Sequence, residues 1–246
     1  MRAAEVIRPH AAALADVTWE QKGPADFVSD VDRSAENALR AVIAERHPDA
    51  VLIAEEGSPK AVASHLTFVA DPLDGTTNFL HGFPWYAVSI AALVDGEQVA
   101  GAILNVANGE LFTAARGSGA RRNGQPIRVS QITDPTRALL GTGFPFKHRE
   151  GIEPYMRLLP RIMQTAAGLR RAGSAALDLC DVACGRYDAF WELRLAPWDV
   201  AAGILIVREA GGVVTDVAGN PAPVAHGPIV AGNPAMHEWL LNELRT

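Results

Sequence analysis

Apolar residues recur along this chain in two rhythms. Between 33 and 46, Ala35, Leu39, Val42 and Ile43 fall near helical spacing and predict an amphipathic helix. Two short apolar runs follow, 51–54 and 66–70. The first ends at Glu55-Glu56-Gly57 and the second at Asp71-Pro72, and both predict buried strands, with Pro72 stopping the second. Segments 86–93, 98–104 and 110–115 read as further strands. Asp95-Gly96 and Asn108-Gly109 separate them, and both dipeptides are hairpin signals. Up to about Thr136 the pattern is a helix followed by a mostly antiparallel sheet.

From Ala138 onward helix and strand alternate. Strand-like 138–142 leads through Gly143-Phe144-Pro145 to a helix over 153–164, and a short strand near Leu169 precedes a helix over 174–184. Segment 187–192 predicts a strand, and 198–210 an apolar helix closed by Gly211-Gly212. In that helix Val200, Gly203, Ile204 and Val207 are expected to share a face. Strands at 213–214 and 229–231 and a helix over 235–244 complete a pattern typical of a layered α/β unit. The halves 1–136 and 137–246 are expected to pack tightly as one unit, since no long linker separates them.

Composition narrows the function classes. At 246 residues and 48% hydrophobic, the chain can bury a real core, which excludes disorder. Its formal charge is −6 with no basic stripe, which argues against direct nucleic-acid binding. The longest apolar stretches, such as 91–94, fall far short of the roughly 20 residues of a membrane helix. Arg2, Glu5, Arg8 and His10 interrupt any signal-peptide segment. Cys180 and Cys184 form no disulfide framework and read as buried thiols, so a reducing, cytoplasmic setting is expected. There is no Gly-x-Ser-x-Gly elbow and no Gly-Lys of a P-loop. No two of the seven histidines lie three to five residues apart, and most are expected at the surface.

Carboxylate chemistry remains. In Asp71-Pro72-Leu73-Asp74-Gly75-Thr76-Thr77-Asn78-Phe79, an apolar strand delivers Asp71, and Asp74 follows three residues later. Two converging acids repel unless a proton or a cation intervenes, and oxygen-only ligands favour Mg²⁺ or Mn²⁺. Gly75-Thr76-Thr77 reads as the start of a short helix whose free N–H groups could hold a phosphate. An acid pair bounded by Pro and Gly equally fits a turn with a helix cap. Glu55-Glu56 equally fits a solvated loop, and Asp199 is accounted for by the dipole of the helix it opens.

The pieces in order make a fingerprint: DFVSDVD from Asp26 to Asp32, AEEG from Ala54, DPLDGTTNF from Asp71, GSAA from Gly173 and WDVAAG from Trp198. They span nearly the whole chain, and with them it resembles the inositol monophosphatase family of lithium-sensitive, Mg²⁺-dependent phosphatases, most closely its bacterial branch. The resemblance implies an α/β fold, a layered αβαβα sandwich of the inositol monophosphatase/fructose bisphosphatase type. It implies two to three Mg²⁺ ions, with Mn²⁺ as a possible substitute. Glu55, Asp71 and the Leu73 carbonyl would bind one ion, and Asp71, Asp74 and Asp199 the second, with Glu55 also near a weaker third. Asp32 and Thr76 would orient the attacking water, and the Gly75 and Thr76 N–H groups would hold the phosphate. Glu192 matches the position that binds inositol hydroxyls, and Ala175 a substrate-lining position. Glu56 has no ligand role and is expected beside the site or solvated.

The same resemblance implies hydrolysis of a small phosphorylated polyol, inositol monophosphate first. Relatives with the same metal core act on histidinol phosphate, fructose 1,6-bisphosphate or 3′-phosphoadenylates. A homodimer is expected by analogy, and some bacterial members are protein partners of transcription complexes. The chain departs from the family at its start, where about one turn-rich helix before Ala3 is expected to be missing. With Asp32 and Glu192 added, six acids would face one pocket, which matches the whole −6.

Overall fold

The computed structural model describes residues 1–57, 65–147 and 149–245, so His148 lies outside the described residues. The chain opens with α1 (Arg2–Ala11), a hairpin of β1 (Trp19–Gly23) and β2 (Asp26–Ser29), and α2 (Asp30–Arg46). Then come β3 (Val51–Ala54), β4 (Leu66–Asp74), α3 (Thr76–Leu80), β5 (Ala87–Val94) and β6 (Glu97–Asn105). The short strands β7 (Leu111–Ala115), β8 (Ala120–Arg122) and β9 (Gln125–Pro126) complete a seven-stranded sheet in sequential order from β3. Its β3–β4 pair is parallel and the rest antiparallel.

The second half supplies β10 (Leu139–Thr142), α4 (Ile152–Thr165), β11 (Gly168–Arg170), α5 (Ala175–Ala183) and β12 (Ala189–Leu195). It closes with α6 (Pro197–Glu209), β13 (Val213–Thr215), β14 (Gly227–Gly232) and α7 (Pro234–Arg245). Its five-stranded sheet runs β11-β10-β12-β14-β13.

Period-two alternation sorts the strand residues into three cores. Ala70, Val88 and Leu104 pack against α1 and α2, whereas Val69, Ala87, Ile103 and Phe112 face α5 and α6. In the smaller sheet Phe190, Ile229 and Ala231 join that same middle core, while Trp191 and Val230 turn to α4 and α7. The layers are therefore αβαβα, as expected.

Three local expectations change. Helix α6 has no solvent face: every residue from Val200 to Val207 is buried, because it lies between two sheets. Gly203 is where α5 comes closest, since a Cβ there would collide with Leu179. Pro72 does not end β4. Asp71 pairs with Ser89 and Asp74 with Ala87, so the extra residue makes a bulge and pairing resumes. Helix α2 starts at Asp30 rather than 33, because Ser29 and Asp32 form a capping box. The hairpin β1–β2 has no signature in the apolar pattern, since Trp19 to Lys22 are all exposed. Among the described histidines His237 is a buried one, and its Nε2 pairs with the Thr215 hydroxyl at 2.9 Å.

Candidate active site

The bulge in β4 sets the first carboxylates. Pro72 has no N–H to give to the ladder, and in the bulge the Leu73 N–H turns back to Asp71 Oδ1 at 2.9 Å. Asp71 is only 2% exposed. Asp74, where pairing resumes, accepts from the Ser174 hydroxyl at 2.6 Å and the Ala176 N–H at 2.8 Å, both at the start of α5. Gly75 has φ +93° and lies so near Trp85 O that a Cβ would stand 3.0 Å from it. Only glycine is at ease in that left-handed turn, which swings Thr76 to the start of α3.

Thr76 Oγ1 reaches two acceptors, Asp32 Oδ1 at 2.9 Å and the Leu73 carbonyl at 3.0 Å, with one proton to give. Asp32 is itself held by the Ser29 N–H and hydroxyl, both on Oδ2. Asp199 caps its own helix: Oδ2 accepts the Ala196 N–H at 2.7 Å, with Pro197 starting the first turn. Glu55 follows β3, and Lys22 from the hairpin bridges Glu55 at 3.2 Å and Glu56 at 2.9 Å. Glu56 is thus an ion-pair partner at the edge of the site, and its N–H donates to Glu36 Oε2.

These groups line one cavity of about 900 Å³. Glu55, Asp71, Leu73, Asp74, Gly75, Thr76, Ala175, Glu192 and Asp199 all border it, and Asp32 stands behind Thr76. Burial pushes the Asp71 carboxyl well above the usual range, and the charges of Glu55, Asp74 and Asp199 push it further. Asp199 is raised by burial and then by Asp74. Asp74 is raised to about 6, again by burial, against the pull of its Ser174 and Ala176 bonds. Glu192 is raised to about 8 by burial, although Arg171 opposes the shift.

Carboxylates crowded and buried in this way are relieved by protons or by cations. The donor set is oxygen only, which suits Mg²⁺. Among the described residues no three His, Cys, Asp or Glu side chains are drawn into a closed metal cage. Asp71, Asp74 and Asp199 each tie one oxygen to a protein donor, and among the described residues no second donor holds the other. Cation binding would gather those free oxygens and displace Lys22 from Glu55. The residues therefore fit a divalent ion.

Several contributors were not evident in the sequence. Lys22 and Lys147 bring positive charge to the mouth, Lys147 through Asp26 at 2.7 Å. Gly143 is the gap that receives Glu192, since a Cβ there would collide with its carboxyl group. Ser174 holds Asp74 and also caps α5 by accepting the Leu177 N–H. A Ser just before an apolar helix is a cap signal that could have singled it out. Asp178 and Arg171 also line the cavity, and no local pattern marks either.

Known proteins resemble this chain in sequence and in fold. The chain is 46% identical to an inositol-1-monophosphatase of Rhizobium meliloti, over 86% of this chain and 80% of that one. It is 45% identical to the Nus factor SuhB of Vibrio cholerae, over 92% of this chain and 85% of that protein. The crystal structure of the extragenic suppressor protein suhB from Bartonella henselae superposes with a TM-score of 0.95 at 42% identity, covering 100% and 95% of the two chains. The model of the inositol monophosphatase family matches residues 1–246. With the fold, the five motifs and their shared cavity in agreement, the chain belongs to the inositol monophosphatase family.

Proposed function

We propose that this protein is a Mg²⁺-dependent phosphomonoesterase acting on inositol monophosphate. The observation that carries this reading is the convergence of Glu55, Asp71, Asp74 and Asp199 on one cavity beside the Thr76–Asp32 pair. Phosphate monoesters hydrolyse extremely slowly unaided, so the site must neutralise charge and activate water. Divalent cations held by Glu55, Asp71, Asp74 and Asp199 would neutralise the phosphoryl oxygens, lower the pKa of a water and stabilise the leaving oxygen.

The chain's own groups do the rest. Asp32 accepts the hydrogen bond donated by the Thr76 hydroxyl, which leaves the Thr76 lone pairs to accept from a water and align it on phosphorus. The Gly75 and Thr76 N–H groups receive the phosphate. Glu192, in the gap over Gly143, accepts hydroxyls of the polyol, and Ala175 shapes the wall beside it. No side chain need bond to phosphorus, because a water aligned by Thr76 supplies the attacking oxygen.

The test is release of phosphate from inositol 1-phosphate that requires Mg²⁺ and is suppressed by Li⁺. Full activity in excess chelator overturns the reading. A preference for histidinol phosphate, fructose 1,6-bisphosphate or 3′-phosphoadenosine 5′-phosphate in the same panel reassigns the substrate. The name of the Vibrio relative, Nus factor SuhB, favours a second role as a protein partner in a transcription complex. Recovery of polymerase components on this chain, and equally on Asp71→Asn, supports that role independently of hydrolysis.

A further inference from the structure

Asp178 lies one turn into α5 from Ser174 and is 1% exposed, yet it borders the active cavity. Its Oδ1 is buried with no hydrogen-bond partner among the described residues. Asp71, Asp74 and Asp199 each have at least one N–H or O–H donor, so Asp178 stands apart. Its electrostatic neighbours are informative. After burial, the charge that acts on it most is that of Glu192, followed by Asp74 and Asp181, with Arg171 opposing. Arg171 opposes the shift of Glu192 as well, and its guanidinium is held over the rings of Phe144 and Phe146 at 5.9 and 5.1 Å. Asp178, Glu192 and Arg171 thus all line the cavity and act on one another electrostatically.

A buried acceptor without a donor is destabilising, and a ligand relieves this by supplying the donor. The chemistry of that donor is restricted. The phosphate is assigned to the Gly75 and Thr76 N–H groups, and Asp178 is not among the acids assigned to cations. A neutral hydroxyl meets neither objection, and a polyol phosphate carries several.

Resting on the function proposed above, we infer that Asp178 is a specificity-determining residue: with Glu192 it accepts neighbouring hydroxyls and selects substrates with a vicinal diol. Glu192 takes one hydroxyl at the cavity wall, and Asp178 takes the adjacent one from the floor. Glycerol 2-phosphate, whose hydroxyls flank the phosphate-bearing carbon and are not adjacent, engages only one of the two.

The experiment compares wild type and Asp178→Asn on inositol 1-phosphate and glycerol 2-phosphate under saturating Mg²⁺, with a thermal melt of each protein. The preference for inositol 1-phosphate, as a ratio of kcat/KM values, should fall about tenfold in the variant and do so through KM. An inositol 1-phosphate analogue lacking one ring hydroxyl beside the Glu192-bound one should lose about tenfold in wild type and little more in the variant. An unchanged ratio, or an equal loss on both esters, overturns the inference. Should Asp178→Asn fail to melt cooperatively, Asp178→Ser and the wild-type analogue series decide by the same ratios. Wild type inactive on both esters is a different failure, that of the proposed function, and the inference falls with it.

Discussion

Ser174 offers the sharpest test of how the two halves hold the site together. Its hydroxyl donates to Asp74 Oδ2 at 2.6 Å and accepts the Leu177 N–H at 3.3 Å, and the residue is 1% exposed. Ser174→Ala removes both. Loss of the cap costs about 1 kcal/mol. Loss of a hydrogen bond to an ionised carboxylate costs about 2 kcal/mol, at pH 8 where Asp74, raised to about 6, is charged. For a chain of this size each kcal/mol moves Tm by about 2–4 °C, so the metal-free variant should melt about 6–12 °C lower. The Ala176 N–H remains on Asp74 at 2.8 Å, so the carboxylate is loosened rather than freed. Removing such a support from a cation-binding carboxylate should weaken Mg²⁺ binding by about 10–100-fold, read by calorimetric titration. A cycle with Asp74→Asn isolates the bond, and the coupling should exceed 1 kcal/mol. If the two substitutions add to within about 0.5 kcal/mol, Ser174 is a helix cap and nothing more.

Other consequences follow from the same geometry. Asp199→Asn should retain a cooperative melt yet lose most phosphatase activity and Mg²⁺ affinity, whereas near-wild-type turnover would remove Asp199 from the metal site. Gly203→Ala should destabilise by about 1–3 kcal/mol in chemical denaturation, because its Cβ collides with Leu179 between α5 and α6. A stabilised variant would mean that the two helices can separate freely. Gly143→Ala should raise KM for inositol 1-phosphate more than it lowers kcat, since it displaces Glu192 and not the cation ligands. An effect confined to kcat would contradict that placement. In chelator, stability should fall as pH rises from 5 to 9. Glu192 has its folded pKa raised to about 8, so the folded state binds more protons than the unfolded chain and loses that advantage through this range. Glu192→Gln should flatten the fall, and a melt that is insensitive to pH in wild type would refute the assignment.

Most strands and helices from α2 onward, and the carboxylates of the candidate site, were legible in the chain, while the αβαβα class followed from the family resemblance that its motifs carry. Their signals are local: apolar runs of period two or near helical spacing, and carboxylates placed where those runs end. Asp71, Glu55 and Asp199 each terminate or open an apolar segment, and a candidate site built at element ends leaves that trace. What the fold decided lies between segments far apart. The Ser174–Asp74 bond joins residues 100 positions apart, and Lys22 reaches Glu55 from a hairpin with no apolar pattern. The burial of α6 on every side depends on a second sheet that its own residues do not encode. The bulge at Pro72 depends on the register of β5, and the space for Glu192 on the absence of a side chain at Gly143. Periodicity reports what each residue prefers beside its near neighbours. Which distant partner meets it, and with what charge, is set only when the layers close.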